Sequence, residues 1–387
     1  TLFEQSSATS SFFYYVVAEL AKIVDLEPLF AIAYLIFQII FLFGIYLLSK
    51  TLVANKYLAY AGVLPFLLPK FIAGTNIYTF DTFFGYRSVG LLFFIFYLVF
   101  AVQNKFYKAS IVAAIGALFH PLSIIPSLTI LPALIIFNSE KKAKTLLISS
   151  ALFFSIISLF IFTSSTNFMM LLGHAFDRQW LDIIKFRDEY LFPSKWQPIE
   201  WSAVIFYLLV IFLFFSRLKT KLKKNIFIIA ICCLVLFFTN YVAIELIKAP
   251  LVAQLQLVRA ILPIAYIAFV ISPMFLTSDN NLIKATGLLV IISLSLNIYW
   301  LLVISLCLYV VLNIFEKGQE FGKIYQKFII SVFAITIAIY LILNHQSYRN
   351  LHQNFQIPKP YNQWIDVQKW ARANTGVEEK FVRGRAS

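Results

Sequence analysis

The residue types best suited to chemistry are concentrated in one polar stretch, residues 174–200, which reads HAFDRQWLDIIKFRDEYLFPSKWQPIE. Long apolar runs flank it on both sides. It contains three candidate anion-binding residues: His174, Arg178 and Arg187. Arginine binds phosphate through paired N–H groups, and the adjacent carboxylates Asp188 and Glu189 are suited to act as a general base. The stretch therefore predicts a site that binds an anion and activates a hydroxyl group.

Four further polar residues stand at the edges of apolar runs, where they are candidates for the same site. They are Arg87 in GYRSVGLLFF, His120 in ALFHPLSIIPSL, and Gln256 with Arg259 in LQLVRAILP. Ionisable groups at membrane depth are expensive unless they face protein or water, so each is a functional candidate. Each of these residues also has an alternative explanation that involves no function. Arg259 would extend its side chain to the headgroups, His120 would form a hydrogen-bonded helix break, and Arg87 would be an ordinary charge at a helix boundary. For the polar stretch, the alternative is an amphipathic loop that only seals the bundle.

Composition identifies the elements that must position these residues. The chain has 387 residues, of which 61% are apolar, 18% aromatic and only 13% charged, and the mean hydropathy is +0.83. A soluble domain is about one-quarter charged, so the composition predicts an all-α polytopic membrane protein. The net charge of +14 lies in short loops, as in RLKTKLKK, which is typical of cytoplasmic connections. We therefore expect no nucleic-acid partner.

Helical spans follow from the apolar runs, because a hydrocarbon core of ~30 Å needs about 20 helical residues. The predicted spans cover 30–49, 57–73, 87–105, 146–162, 201–216, 225–242, 257–275 and 328–343. Two longer stretches, 108–138 and 282–315, fit only as hairpins of two short helices, with breaks near His120–Pro121 and near 296–300. A single span in either stretch would place the later basic loops on the extracytoplasmic side of the membrane. The total is about twelve membrane helices, with both ends outside the cytoplasm.

Three regions are predicted along the chain. Residues 1–29 form an extracytoplasmic loop and interfacial helix, and residues 30–343 form the multi-pass domain with an outer loop at 164–200. Residues 344–387 begin an extracytoplasmic soluble domain, since WIDVQKWARANTG has a helical face and a stop. An interfacial helix over 177–189 is expected within the outer loop, with Tyr190 and Trp196 at the headgroup boundary. The chain is interpreted as a fragment that lacks an upstream span.

The layout resembles the multi-spanning GT-C glycosyltransferase superfamily. The resemblance rests on GYRSVGLLFF, ALFHPLSIIPSL, RDEYLFPSKW, LQLVRAILP and the WIDVQKWARANTG opening of the tail. It implies transfer of a sugar from a polyprenyl-phosphate carrier to an acceptor on the extracytoplasmic side of the cell membrane. It also implies a catalytic acid in the first outer loop, where Glu4 is the only acid among the first eighteen residues.

Other functions remain open at this stage. A polysaccharide polymerase or ligase would also use a lipid-diphosphate donor, and a lipid or solute transporter would show inverted repeats with broken spans. A purely structural membrane subunit is a further alternative. The expected partners are the lipid bilayer and a polyprenyl-linked sugar. No cofactor is predicted with certainty, and a divalent cation is left open. Motifs of soluble enzymes, such as a phosphate loop or HExxH, are absent from the sequence.

Overall fold

The computed structural model describes residues 11–317 except 54, 73, 162–177, 216 and 297, and these residues are mostly helical. The helices are α1 Phe12–Leu20, α2 Leu26–Leu52, α3 Lys56–Ala61, α4 Tyr86–Val102, α5 Phe106–Phe119, α6 Pro121–Ile124, α7 Ser127–Asn138, α8 Lys142–Ile161, α9 Arg178–Arg187, α10 Pro198–Phe215, α11 Thr220–Tyr241, α12 Pro250–Leu255, α13 Ile261–Ile271, α14 Asn281–Leu296 and α15 Tyr299–Lys317. Short strands β1 Phe71–Ile72 and β2 Ile77–Tyr78 pair antiparallel.

Several helices are long and apolar enough to cross a membrane, which confirms the predicted class of helical membrane protein. Within the described residues, four such segments are Leu26–Leu52, Pro121–Asn138, Thr220–Leu246 and Leu257–Thr277. Five shorter apolar helices accompany them, at Tyr86–Val102, Phe106–Phe119, Glu200–Phe215, Asn281–Leu296 and Leu301–Leu312. The predicted number of about twelve is not confirmed. The predicted span 328–343 and the domain boundary at 343 lie outside the described residues.

Both predicted hairpin breaks are present. His120 ends α5 and caps α6, and the following Pro121 is the first residue of α6, a position where its missing N–H costs nothing. The second break falls between Leu296, the last residue of α14, and Tyr299, the first of α15. The first stretch is therefore divided into three helices, α5, α6 and α7, and the second into two, α14 and α15, rather than each forming one continuous helix.

The predicted span 57–73 is wrong as a continuous helix. The chain forms α3, a 3-10 turn at Leu64–Phe66 and the β1–β2 hairpin before α4 begins. The polar side chains of Lys70, Thr75, Thr79 and Asp81 in this segment are buried, and its irregular backbone needs partners that lipid cannot supply. The Tyr266 hydroxyl donates to the Thr79 carbonyl at 2.7 Å, and the Lys70 Nζ donates to the Leu294 carbonyl at 2.6 Å. Hydropathy alone predicted a helix because the segment is apolar.

The helix α13 forms the centre of the bundle, and all eleven of its residues are buried. Its aromatic side chains Tyr266 and Phe269 pack edge-on against Phe66 of the irregular segment. Close to it, a Cβ on Gly62 would lie 2.8 Å from the Val270 carbonyl oxygen, so only glycine fits there. The helix that carries the Arg259 turn at its start is thus held on several sides.

Candidate functional site

The polar loop after α9 folds into the bundle instead of lying over it. Leu191, Phe192 and Trp196 are buried, and the Asn240 Nδ2 of α11 donates to the Leu191 carbonyl at 3.0 Å. The Trp196 Nε1 donates to the Tyr190 carbonyl at 2.8 Å, which closes the loop on itself. Tyr190 and Trp196 were predicted to lie at the headgroup boundary; in the structure Trp196 is buried and Tyr190 is partly exposed. The loop is therefore a fixed wall of the site.

Gly74 allows this loop to approach so closely. Its φ is +74°, in the left-handed region, and a Cβ there would lie 2.3 Å from the Trp196 ring. Glycine is the residue that accepts both the backbone conformation and the contact. The β1–β2 turn and the loop at 188–197 consequently pack directly on each other.

Arg87, near the start of α4, is held by a buried carboxylate. Its Nε lies 2.9 Å from both carboxylate oxygens of Asp81, and its Nη2 lies 2.5 Å from Asp81 Oδ1. The Asp81 side chain is 1% exposed and that of Arg87 26% exposed. Asp81 balances the charge of Arg87 and fixes the orientation of the guanidinium.

His120 occupies the break between α5 and α6. Its Nδ1 accepts the Ser123 backbone N–H at 3.2 Å and lies 2.6 Å from the Ser123 hydroxyl. We therefore assign the proton of the neutral imidazole to Nε2, which leaves one N–H donor. The imidazole lies 5.3 Å from the Tyr86 ring, between centroids, and within electrostatic range of Arg87 and Arg259. His120 therefore forms a hydrogen-bonded helix break, which was the alternative to a functional role. Its position beside two arginines is a further feature that a helix break does not require.

Arg259 is the most unusual residue of the group. It is only 7% exposed, and no described residue forms a hydrogen bond with its buried Nε and Nη1. This excludes snorkelling to the membrane surface. It lies in a 3-10 turn, Leu257–Ala260, that follows Gln256 in the left-handed region at φ +50°. The Oε1 of Gln256 is likewise buried and unpartnered.

Arg259 has no carboxylate partner among the described residues. Arg87 is paired with Asp81, whereas Arg259 shares a hydrogen bond with the Tyr190 hydroxyl and lies within electrostatic range of Arg87 and Tyr86. Burial raises the pKa of the Tyr190 hydroxyl, although the nearby Arg259 opposes the rise, so Tyr190 is a neutral donor at pH 7. An unpaired buried guanidinium costs several kcal/mol unless an anion joins it. The cluster of Arg87, His120, Tyr190 and Arg259 is therefore complementary to an anion; we refer to it as the anion cluster.

The remaining candidates have separate positions. Arg187 is exposed, with its Nε 3.7 Å from Asp188 Oδ2, and Glu189 is exposed as well. Asp188 is partly buried and acts electrostatically on Tyr190, so it is the predicted carboxylate nearest to the anion cluster. Glu4, His174 and the side chain of Arg178 lie outside the described residues. The predicted interfacial helix at 177–189 corresponds to α9.

The sequence prediction of the site did not include Tyr190, and it did not pair Asp81 with Arg87. Asp81 stands six residues before Arg87, and this acid–base spacing at the start of an apolar helix is a usable signal. Tyr190 follows the acidic pair directly, but an aromatic residue near a membrane boundary has many ordinary roles. Among the described residues, no group of three His, Cys, Asp or Glu is placed to hold a metal ion.

The chain was compared with family models, curated proteins and solved structures. It matches none of them. The resemblance to the GT-C superfamily stays a prediction that rests on the motifs and layout given above.

Proposed function

We propose that this protein binds a lipid-linked phosphate at the anion cluster and transfers the attached sugar to an acceptor hydroxyl. The observation that carries the proposal is the buried Arg259, whose Nε and Nη1 have no hydrogen-bond partner among the residues that the structure describes. Arginine in a water-poor setting favours phosphate, which accepts several N–H bonds at once. The apolar helices around the cluster are suited to the polyprenyl tail of such a donor.

The chemistry assigned to these residues is a glycosyl transfer. The acceptor hydroxyl oxygen attacks the anomeric carbon of the sugar, and the bond from that carbon to the phosphate oxygen breaks. The phosphate leaves with the bonding electrons, and Arg259 and Arg87 stabilise its charge. Asp188 takes the proton of the acceptor hydroxyl as general base. Glu189 is exposed and Glu4 is carried only by the family resemblance, so Asp188 is the first choice.

The membrane topology that we propose with this function has about twelve helices and both ends of the chain outside the cytoplasm. Its support is the charge distribution. Exposed lysines such as Lys108 and Lys142 stand at one end of the α5–α7 hairpin and its neighbour α8, and His120 stands at the other. The anion cluster would then face the extracytoplasmic side of the cell (inner) membrane, where the bilayer delivers the lipid donor.

The test uses the full chain in membranes, with radiolabelled polyprenyl-phosphate sugars as donors. We expect transfer that falls about 100-fold or more in Arg259→Ala, as it does when an oxyanion donor is removed. Asp188→Asn should lower turnover with little change in donor KM, because it removes a base and not a binding group. Arg217→Ala is the control and should leave transfer unchanged, since Arg217 is exposed and bonds to Thr277, which is not part of the anion cluster.

The alternatives correspond to other outcomes. Movement of a labelled lipid or solute across the bilayer, blocked by Arg259→Ala and without any transfer, would replace the proposal with a transporter. The broken segments at His120 and at 56–85 are what favour that second candidate. Transfer that requires Arg259 but is insensitive to Asp188→Asn would favour a polymerase or ligase that needs no acidic base.

A further inference from the structure

A cleft lies between α7 and α8 and opens to the surface of the bundle, and none of its lining residues belongs to the anion cluster. Its α7 side runs from Ser127 to Ile135, and its α8 side runs from Leu146 to Phe154. Leu128 and Phe154 on its rim are 51% and 62% exposed. Since both helices are apolar, this opening faces the region that lipid would occupy.

The lining is mostly apolar and includes the hydroxyl of Ser149. This hydroxyl is buried and has no hydrogen-bond partner among the described residues. Pro132, inside α7, has no N–H to give to the Leu128 carbonyl four residues earlier, so the helix is weakened at the cleft. The cleft is thus a defect in the packing of two helices that otherwise contact each other.

Positive charge stands at one end of the cleft. Lys142 and Lys144 begin α8 and are exposed, and Leu146, the first cleft residue of α8, follows within a turn. Lys224 of α11 donates to the Phe137 carbonyl at the end of α7. From Ser127 to Ile135 the cleft extends roughly 12 Å at 1.5 Å per residue, against about 15 Å for one hydrocarbon leaflet.

We propose that this cleft binds one acyl chain of an anionic phospholipid, whose phosphate headgroup contacts Lys142 and Lys144. The apolar length matches most of a leaflet, and the lysines lie where the headgroup of such a lipid would be. Basic pockets at the cytoplasmic end of membrane helices are suited to anionic headgroups, and zwitterionic lipids lack the net charge to use them. This site is independent of the sugar-transfer proposal.

The experiment measures lipid binding to the purified full chain by native mass spectrometry. Phosphatidylglycerol is the anionic probe and phosphatidylcholine the neutral one. We expect preferential binding of phosphatidylglycerol, weakened roughly 30-fold in Lys142→Ala/Lys144→Ala from the combined effect of two surface lysines. Lys219→Ala/Lys221→Ala is the matched control, because these exposed lysines lie at the start of α11, which contributes no residue to the cleft, whereas Lys142 and Lys144 begin the cleft helix α8.

A second measurement locates the acyl chain. Phosphatidylglycerol with a diazirine in its acyl chain should crosslink to peptides that contain 127–135 and 146–154. Ser150→Phe should fill the cleft and remove these adducts, whereas Leu147→Phe, at a position 71% exposed, should keep them. Equal binding of the two lipids, or adducts unaffected by Ser150→Phe, would overturn the proposal. Preferential binding without adducts in the cleft would reduce the site to a surface charge effect and would also overturn it.

Discussion

Two arginines that lie within electrostatic range of each other differ in how their charges are compensated. Arg87 has a bidentate carboxylate partner in Asp81, whereas Arg259 has two buried nitrogen atoms that lack a hydrogen-bond partner in the described part of the chain. Each buried donor left unpaired costs about 1–3 kcal/mol. A protein that retains such a group accepts lower stability in the empty state, which is typical of functional positions.

Arg259→Met should therefore stabilise the empty protein. The change removes an unpaired buried charge and keeps most of the side-chain volume, so we expect a gain of roughly 1–3 kcal/mol. The measurement is thermal unfolding of the detergent-purified protein by intrinsic fluorescence, without added lipid phosphate. Arg217→Met is the control, as Arg217 is exposed and already bonded to Thr277. A lower unfolding temperature for Arg259→Met would mean that the guanidinium supports the fold.

At the scale of elements, the loop at 189–197 is held by few but specific bonds. Asn240 and Trp196 satisfy two successive carbonyls, those of Leu191 and Tyr190. The Ser194 backbone N–H donates to the Glu245 side chain at 3.0 Å. These contacts orient Tyr190 toward Arg259, so loosening the loop should weaken the anion cluster without touching an arginine.

Asn240→Ala should release this loop. It leaves the buried Leu191 carbonyl unpaired, at a cost of about 1–3 kcal/mol. We expect faster amide hydrogen exchange across 189–197, with exchange in α13 unchanged. Thr239→Ala is the neighbouring control, because Thr239 is exposed and bonds only to the Val235 carbonyl of its own helix. Unchanged exchange in the loop would show that apolar burial of Leu191 and Phe192 is sufficient to hold it.

The elements also differ in how well the sequence predicts them. The break at His120 is predictable because a proline in an over-long apolar stretch has a local steric effect. The path of the chain through 56–85 is not predictable in this way. Its Thr79 carbonyl and its Lys70 amine bond to Tyr266 and Leu294, which lie far along the chain. Hydropathy measures whether a segment avoids water and carries no information on whether its backbone partners are local.

The features of the candidate site also differ in how well the sequence predicts them. Arg87, His120 and Arg259 could be selected from the sequence, because charged residues at the ends of apolar runs are rare and costly. The sequence could not show that Arg87 is paired with a carboxylate and that Arg259 is not. This pairing depends on which carboxylate the fold brings near each arginine. The placement of Arg187 and Glu189 on the exposed side of the loop likewise depends on how the buried Leu191 orients its neighbours.

At the scale of the whole molecule, the proposed topology makes a prediction about accessibility. In a variant with Cys232, Cys233 and Cys307 replaced by alanine, a cysteine at Lys142 should react with a membrane-impermeant maleimide only from the cytoplasmic side. A cysteine at Ser194 should react only from the opposite side. Both positions are exposed, so labelling requires no unfolding. Labelling of both from one side would refute the topology.

The irregular segment at 56–85 has a consequence for how the protein is made. Its Lys70 amine bonds to a carbonyl 224 residues later in the chain, and its Thr79 carbonyl bonds to a hydroxyl 187 residues later. While the ribosome is still synthesising α13 and α14, this segment has no such partners and is a poor substrate for partition into lipid. Its entry into the bilayer must therefore wait for the second half of the chain, and premature termination before residue 294 should leave it exposed to membrane quality-control proteases.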